Sequence, residues 1–271
     1  MDILLWQKLL EPYKQAMQEL ELKFNRIRTE CAVKGLYCPF ETVRGRVKSL
    51  NSILDKMYKK KISFDEIEER IEDICGIRII CQFTEDIEQI VEIIRGRQDM
   101  EVKTIKDYVL HQKASGYRSY HLIIYYTVQT LEGPKRIMAE IQVRTMAMDL
   151  WATIEHSLQY KYRANIPKVV SERLGKAADA IMQMDNEMSS VRSEIMDAQV
   201  SSQLQHRMVS SILYNIERLY RVANQREVQK IQDEFYQIYQ KNDIEELRRF
   251  QTQLDLIAEG YRAQALDQEQ L

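Results

Sequence analysis

The chain has 271 residues, 45% of them hydrophobic and 30% charged, which is the make-up of a globular protein of one or two domains. No apolar run approaches the ~20 residues of a membrane span, and the N-terminus lacks the apolar stretch of a signal peptide, which argues against membrane and secreted classes and for the cytoplasm. A net charge of −2 excludes a general nucleic-acid coat, yet Arg44 to Lys61 holds seven bases against one acid, Asp55, and Glu227 to Leu271 holds ten acids against five bases.

Residues 2 to 30 place Leu5, Leu9, Tyr13, Met17, Leu20, Phe24 and Ile27 at helical spacing, which predicts an amphipathic helix. Residues 31 to 43, with Gly35 and Pro39, read as a loop. Cys31 and Cys38 lie there, Cys75 and Cys81 further on; without CxxC spacing the four read as reduced thiols. A second helix is predicted through the basic block, about Val43 to Lys60, and a third from Ser63 to about Ile71, with Ser63 and Glu66 as a capping box. The period then changes to two. Ile77, Ile79, Cys81 and Phe83 alternate with Arg78, Ile80 and Gln82, a strand opened by Gly76. A helix from Asp86 to Arg95 and a strand from Glu101 to Tyr108 follow. Ser119 to Thr130 is a long β-branched and aromatic strand, turned by Glu132-Gly133-Pro134 into a hairpin with Arg136 to Thr145. Met146 to about Arg163 is helical, and beyond Pro167 the apolar spacing stays helical, with a break and new capping box at Asn242, Asp243 and Glu246. The expected fold class is α+β: a mixed, mostly antiparallel sheet of four or five strands flanked by helices, with a helical C-terminal extension whose apolar stripes need a partner surface.

Four stretches combine residue types that carry chemistry. On the 136–145 strand Arg136, Met138, Glu140, Gln142 and Arg144 share one face, and enclosed charges are rare unless paired or functional; a solvent-exposed face is the alternative. Asp73 enters the first strand through Gly76. Such an Asp is often a turn cap, and paired with a carboxylate on a neighbouring strand it suits Mg²⁺, which takes few carboxylates plus substrate phosphates. Tyr117, in Gly116-Tyr117-Arg118-Ser119-Tyr120-His121, offers a ring to a base, although a packing role serves as well among fifteen tyrosines. His121 leads the long strand, where a lone His is commonly a hydrogen-bonder. Lys48, Ser52 and Lys56, at i, i+4 and i+8, suit a triphosphate, with only Asp55 near them in sequence, and Arg46 suits base stacking; a solvated helix face is the other reading. Together they describe a nucleotide site without a glycine-rich phosphate loop.

The order Gly45-Arg46, Lys48, Ser52-Ile53, Lys56, then Asp73, Gly76, Arg78, then Gly116-Tyr117-Arg118-Ser119, His121, then Glu140, Gln142, Arg144-Thr145 resembles the synthetase domain of the Rel/Spo family of (p)ppGpp synthetases. Trp151 to His156 and Tyr160-Lys161-Tyr162 agree with it, and the chain looks like the single-domain small alarmone synthetases of bacteria. The resemblance implies a nucleotidyltransferase-like synthetase domain over residues 1–200, motifs about 43–163, and a helical extension over 201–271. It implies transfer of the β,γ-pyrophosphate of ATP to the 3′-hydroxyl of GDP or GTP. Asp73 and Glu140 would hold Mg²⁺, Glu140 also acting as base; Arg46 and Arg78 would clasp the adenine; Lys48, Ser52 and Lys56 would hold the ATP phosphates. Tyr117 would stack the guanine, Lys106, Lys113 and His121 would hold acceptor phosphates, and Ser119, Gln142 and Arg144 would complete the acceptor side. With four histidines and no His-Asp doublet, synthesis without hydrolysis is expected. The resemblance favours a homotetramer. In the tetrameric subclass an aromatic before the Gly-Arg motif and an Asn after the catalytic strand contribute to an effector cleft; here Thr42, Arg44 and Asp149 stand in those stretches, and the Asp149 charge is expected to repel a phosphorylated effector. Other readings are a pyrophosphokinase acting on adenosine nucleotides or a tRNA 3′ end, and a module that binds nucleotide or single-stranded RNA without turnover.

Overall fold

The computed structural model describes residues 3–161, 167–241 and 243–268. Contacts divide the chain into two compact units, Met1–Ser190 and Val191–Leu271.

The first unit is built on a five-stranded sheet of order β1-β2-β5-β4-β3, from β1 (Thr42–Val47), β2 (Cys75–Cys81), β3 (Met100–Asp107), β4 (Tyr120–Thr130) and β5 (Gly133–Thr145). The β2·β5 pair is parallel and the other pairs are antiparallel. Its helices are α1 (Ile3–Lys34), α2 (Leu50–Lys60), α3 (Ile67–Arg70), α4 (Thr84–Arg95), α5 (Met146–Lys161) and the first part of α6 (Lys168–Val222). One sheet face is apolar by alternation. Ile77, Ile79, Leu122, Ile124, Ile141 and Val143 are buried there with Tyr13, Leu20 and Phe24 of α1 and Ile87, Ile90 and Ile94 of α4. Each such side chain contributes about 1.5–3 kcal/mol of burial. That packing leaves the opposite face, with its polar residues, available for a site.

Two expected elements are corrected. Residues 42–47 form strand β1, not the start of a helix, so α2 begins only at Leu50, capped by Ser49. Thr42, Val43 and Val47 favour an extended backbone, β2 supplies its ladder, and Gly45 lies so close under Met17 of α1 that a Cβ would come within 2.4 Å of its sulfur. The third helix is a single turn: Ser63 and Glu66 do bond, but residues 63–67 close i→i+3 turns before it begins.

The second unit comprises the rest of α6 with α7 (Gln225–Lys241) and α8 (Ile244–Gln268). Ile212, Ile216, Leu219, Val228, Phe235, Leu247, Phe250 and Leu254 form its core. Asp243 accepts from the backbone N–H groups of Glu245 and Glu246, which caps α8 at the expected break; Asn242 lies outside the described residues. Tyr162, from the motif beyond α5, lies outside them too. Among the described residues no helix is long and apolar enough to cross a membrane.

Candidate active site

Register brings the separate motifs onto one face. Glu140 on β5 pairs with Gly76 on β2, and Gln142 with Arg78 and with His121 on β4. Lys106 on β3 pairs with His121, and Arg46 and Arg44 on β1 pair with Gly76 and Arg78. The pleat therefore lines up Arg44, Arg78, Gln142, His121 and Lys106 across all five strands, with Arg46 and Glu140 in the neighbouring row. The Arg46 side chain lies over Gly76, its Cγ 3.7 Å from where a Cβ would stand, an ordinary contact distance.

Asp73 sits at the mouth of this face, ahead of β2. Its two oxygens accept from Lys48 Nζ at 2.7 Å and Lys56 Nζ at 2.8 Å. Burial alone would push the carboxyl up, but the two ammonium groups override it and hold it below the usual aspartate range. The lysines are thus neutralised across the fold, by an acid that sequence proximity did not reveal. Ser52 occupies the first turn of α2, its hydroxyl 2.8 Å from that of the capping Ser49, so it sits at a helix N-terminus but is not drawn to Asp73.

Glu140 accepts from His121 Nδ1 at 2.9 Å and Gln142 Nε2 at 2.6 Å. Burial and the neighbouring Asp73 charge push its carboxyl up, and the bonds from His121 and Gln142 prevail and keep it below the usual glutamate range. The charge of Asp73 is felt at Glu140, so the two carboxylates share one electrostatic neighbourhood. Beyond Glu140 the chain of bonds continues: His121 Nε2 lies 2.9 Å from the Tyr117 hydroxyl, which accepts from Arg144 at 2.6 Å. Arg144 is 4% exposed and also donates to Ser119, Gln142 and Asp149, at 3.2, 2.8 and 3.1 Å.

Tyr117 is held by its turn. Gly116 has φ +87°, a conformation suited to glycine, and the turn packs on Trp151 of α5 and Ala178 of α6. Tyr108 and His121 meet Tyr117 edge-on at 6.2 and 5.9 Å, and exposed Lys113 sits over the rings of Tyr108 and Tyr117 at 4.5 and 4.7 Å. The result is a cage of rings under an exposed cation. Lys106 is less free, since Glu72 accepts from it at 2.8 Å and from Lys103 at 3.3 Å.

All fourteen expected site residues lie in the first unit, but not in one arrangement. His121 has both ring nitrogens engaged, between Glu140 and Tyr117. Asp149, the charge expected to repel a phosphorylated effector, is paired: Arg78 and Arg144 each place a nitrogen 3.1 Å from its Oδ1. Sequence reasoning missed Glu72 and Tyr108 as site residues. Glu72 adjoins Asp73, and Tyr108 is two residues beyond Lys106 at the end of a predicted strand, so adjacency was the only signal available.

Residues 45–165 match the signature described as a region found in RelA / SpoT proteins. The chain is 47% identical over 201 residues to the GTP pyrophosphokinase YjbM of Bacillus subtilis (strain 168), a match spanning 74% of this chain and 95% of that relative. Among solved structures it is similar to small alarmone synthetase 1 from Bacillus subtilis bound to its product pppGpp, with TM-score 0.68, 47% identity and coverage of 70% of this chain and 97% of that one. It is also similar to the same enzyme bound to AMPCPP, with TM-score 0.62, 44% identity and coverage of 71% and 98%.

Proposed function

The chain belongs to the RelA/SpoT family, and on that premise we propose that it is a GTP pyrophosphokinase that makes the alarmone (p)ppGpp from ATP and GDP or GTP. The observation that carries this reading is the pair of bonded carboxylates on one sheet face: Asp73 holds Lys48 and Lys56, and Glu140 is joined through His121 to Tyr117 and its ring cage. Phosphoryl-type transfer depends on positioning and charge neutralisation, which these residue types supply.

Arg46 and Arg78, near enough that the charge of Arg46 is felt at Arg78, clasp the adenine of ATP. Lys48 and Lys56 turn from Asp73 to the donor phosphates, with Ser52 at the N-terminus of α2 beside them. Tyr117 stacks the guanine once Lys113 swings aside, and Lys106, Lys113 and His121 serve the acceptor phosphates, with Ser119, Gln142 and Arg144 bracing that side. Glu140, kept ionised by His121 and Gln142, takes the proton of the 3′-hydroxyl as its oxygen bonds to Pβ of ATP and the Pα–O–Pβ bridge breaks, leaving AMP.

Two carboxylates close enough for the charge of Asp73 to act on Glu140 fit Mg²⁺, whose remaining positions suit phosphate oxygens and water. Among the described residues no group of three or more His, Cys, Asp or Glu side chains makes a full metal cage, so Asp73 and Glu140 would hold the ion together with substrate. Bound there it would neutralise polyphosphate charge. The same reading puts the synthetase domain at residues 1–200 with an extension over 201–271, in a cytoplasmic homotetramer.

The test is turnover with Mg²⁺, ATP and a panel of GMP, GDP, GTP, adenosine nucleotides and a tRNA 3′ end. A guanosine nucleotide carrying a 3′-pyrophosphate is expected. Product only with the other acceptors moves the protein to a different acceptor class, and binding without product defeats the enzyme reading.

A further inference from the structure

We propose that Asp149 is a positioning residue that fixes Arg78 for the donor nucleotide, using Arg144 as its anchor. The proposal deepens the reading of the Arg46–Arg78 side as the ATP side and rests on it. A single oxygen, Asp149 Oδ1, lies 3.1 Å from a nitrogen of Arg78 and 3.1 Å from a nitrogen of Arg144. The two guanidiniums differ in how firmly they are held. Arg144 is enclosed, 5% exposed in its side chain, and has Ser119, Tyr117 and Gln142 as further partners. Arg78 is 29% exposed in its side chain, stands on β2 beside Gln142, and has the charges of Arg144 and Arg46 pressing on it. Between two like charges, the shared carboxylate gives Arg78 a reason to stay at the sheet face and a direction to point.

The asymmetry predicts a split that a general structural role would not produce. Losing the Asp149 charge frees Arg78 and leaves Arg144 on three other partners, so donor binding suffers and acceptor binding does not. For a part-buried charged pair the donor effect should be about tenfold, between the values of exposed and enclosed pairs.

The experiment measures KM for ATP and for GTP, and equilibrium binding of AMPCPP, in Asp149→Asn, Asp149→Ser, Arg78→Ala and Arg78→Ala/Asp149→Asn. Both neutral variants should raise KM for ATP and Kd for AMPCPP about tenfold while KM for GTP stays within about twofold. Adding Asp149→Asn to Arg78→Ala should change KM for ATP less than about twofold, because the residue acts through Arg78. Parallel rises in both KM values, unchanged AMPCPP binding, or loss of folding in both neutral variants would each overturn the proposal. If the parent itself makes no 3′-pyrophosphorylated product, it is the functional reading that falls; intact AMPCPP binding still tests Asp149.

Discussion

Replacing Asp73 with asparagine keeps the side-chain volume and removes one charge, and the structure sets the scale of the effect. The carboxylate is 22% exposed and neutralises Lys48 and Lys56, themselves 19% and 26% exposed. A charge-assisted hydrogen bond contributes about 1.5–3 kcal/mol and an amide oxygen recovers part of it, so the two lost ion pairs together destabilise by about 2 kcal/mol. For a chain of this size that corresponds to a fall in Tm of roughly 4–8 °C. Catalysis should suffer far more. One of the two site carboxylates is gone and the lysines lose their resting partner, so kcat should fall at least about a thousandfold. Thermal melts followed by initial rates of AMP formation, with ATP and GTP saturating, separate the two effects. A folded Asp73→Asn enzyme with kcat within about tenfold of the parent would refute the assignment of Asp73 to the reaction centre.

Gly116→Ala meets two obstacles, a φ of +87° and a Cβ 2.6 Å from that of Ala178, and should cost about 2–4 kcal/mol in chemical denaturation; a cost below about 1 kcal/mol would show that the turn relaxes freely. Tyr117→Ala should raise KM for GTP about tenfold and leave KM for ATP unchanged, whereas Tyr117→Phe, which keeps the ring, should raise it much less; equal effects would place the weight on the hydroxyl. Burial pushes the Asp185 carboxyl above its ordinary value of 3.8, against the pull of the Thr145 hydroxyl. Above that raised value the buried charge opposes folding, and the cost fades as pH falls through it. Asp185→Asn should therefore melt higher than the parent near about pH 7.5, with the gap closing towards about pH 4; a gap that widens on acidification contradicts the sign.

The strands that carry Arg78 and Glu140 could be read from local alternation, because Ile77, Ile79, Ile141 and Val143 each face a core while Arg78, Glu140 and Gln142 do not. Strand β1 escaped because Arg44, Gly45 and Arg46 interrupt its apolar pattern and the spacing of Lys48, Ser52 and Lys56 imitates a helix face. Its ladder comes from β2, some thirty residues away, and no local window contains that partner. The same holds for the site. Residue types identified Asp73, Glu140 and the cations, but which carboxylate neutralises which lysine is a property of the sheet register. Asp149 shows the limit most clearly: its charge was visible in the sequence, and its meaning was set by Arg78 and Arg144 converging on it.

In the proposed reaction Asp73 and Glu140 direct a pyrophosphate, not a single phosphate, to a guanosine 3′-oxygen. Phosphorus-31 NMR of the products from Mg²⁺, ATP and GTP tests it directly. The expected products are AMP and a guanosine nucleotide bearing a coupled 3′-pyrophosphate, formed in equal amounts and absent with Glu140→Gln. Formation of ADP with a 3′-monophosphate, or undiminished product from Glu140→Gln, would contradict it.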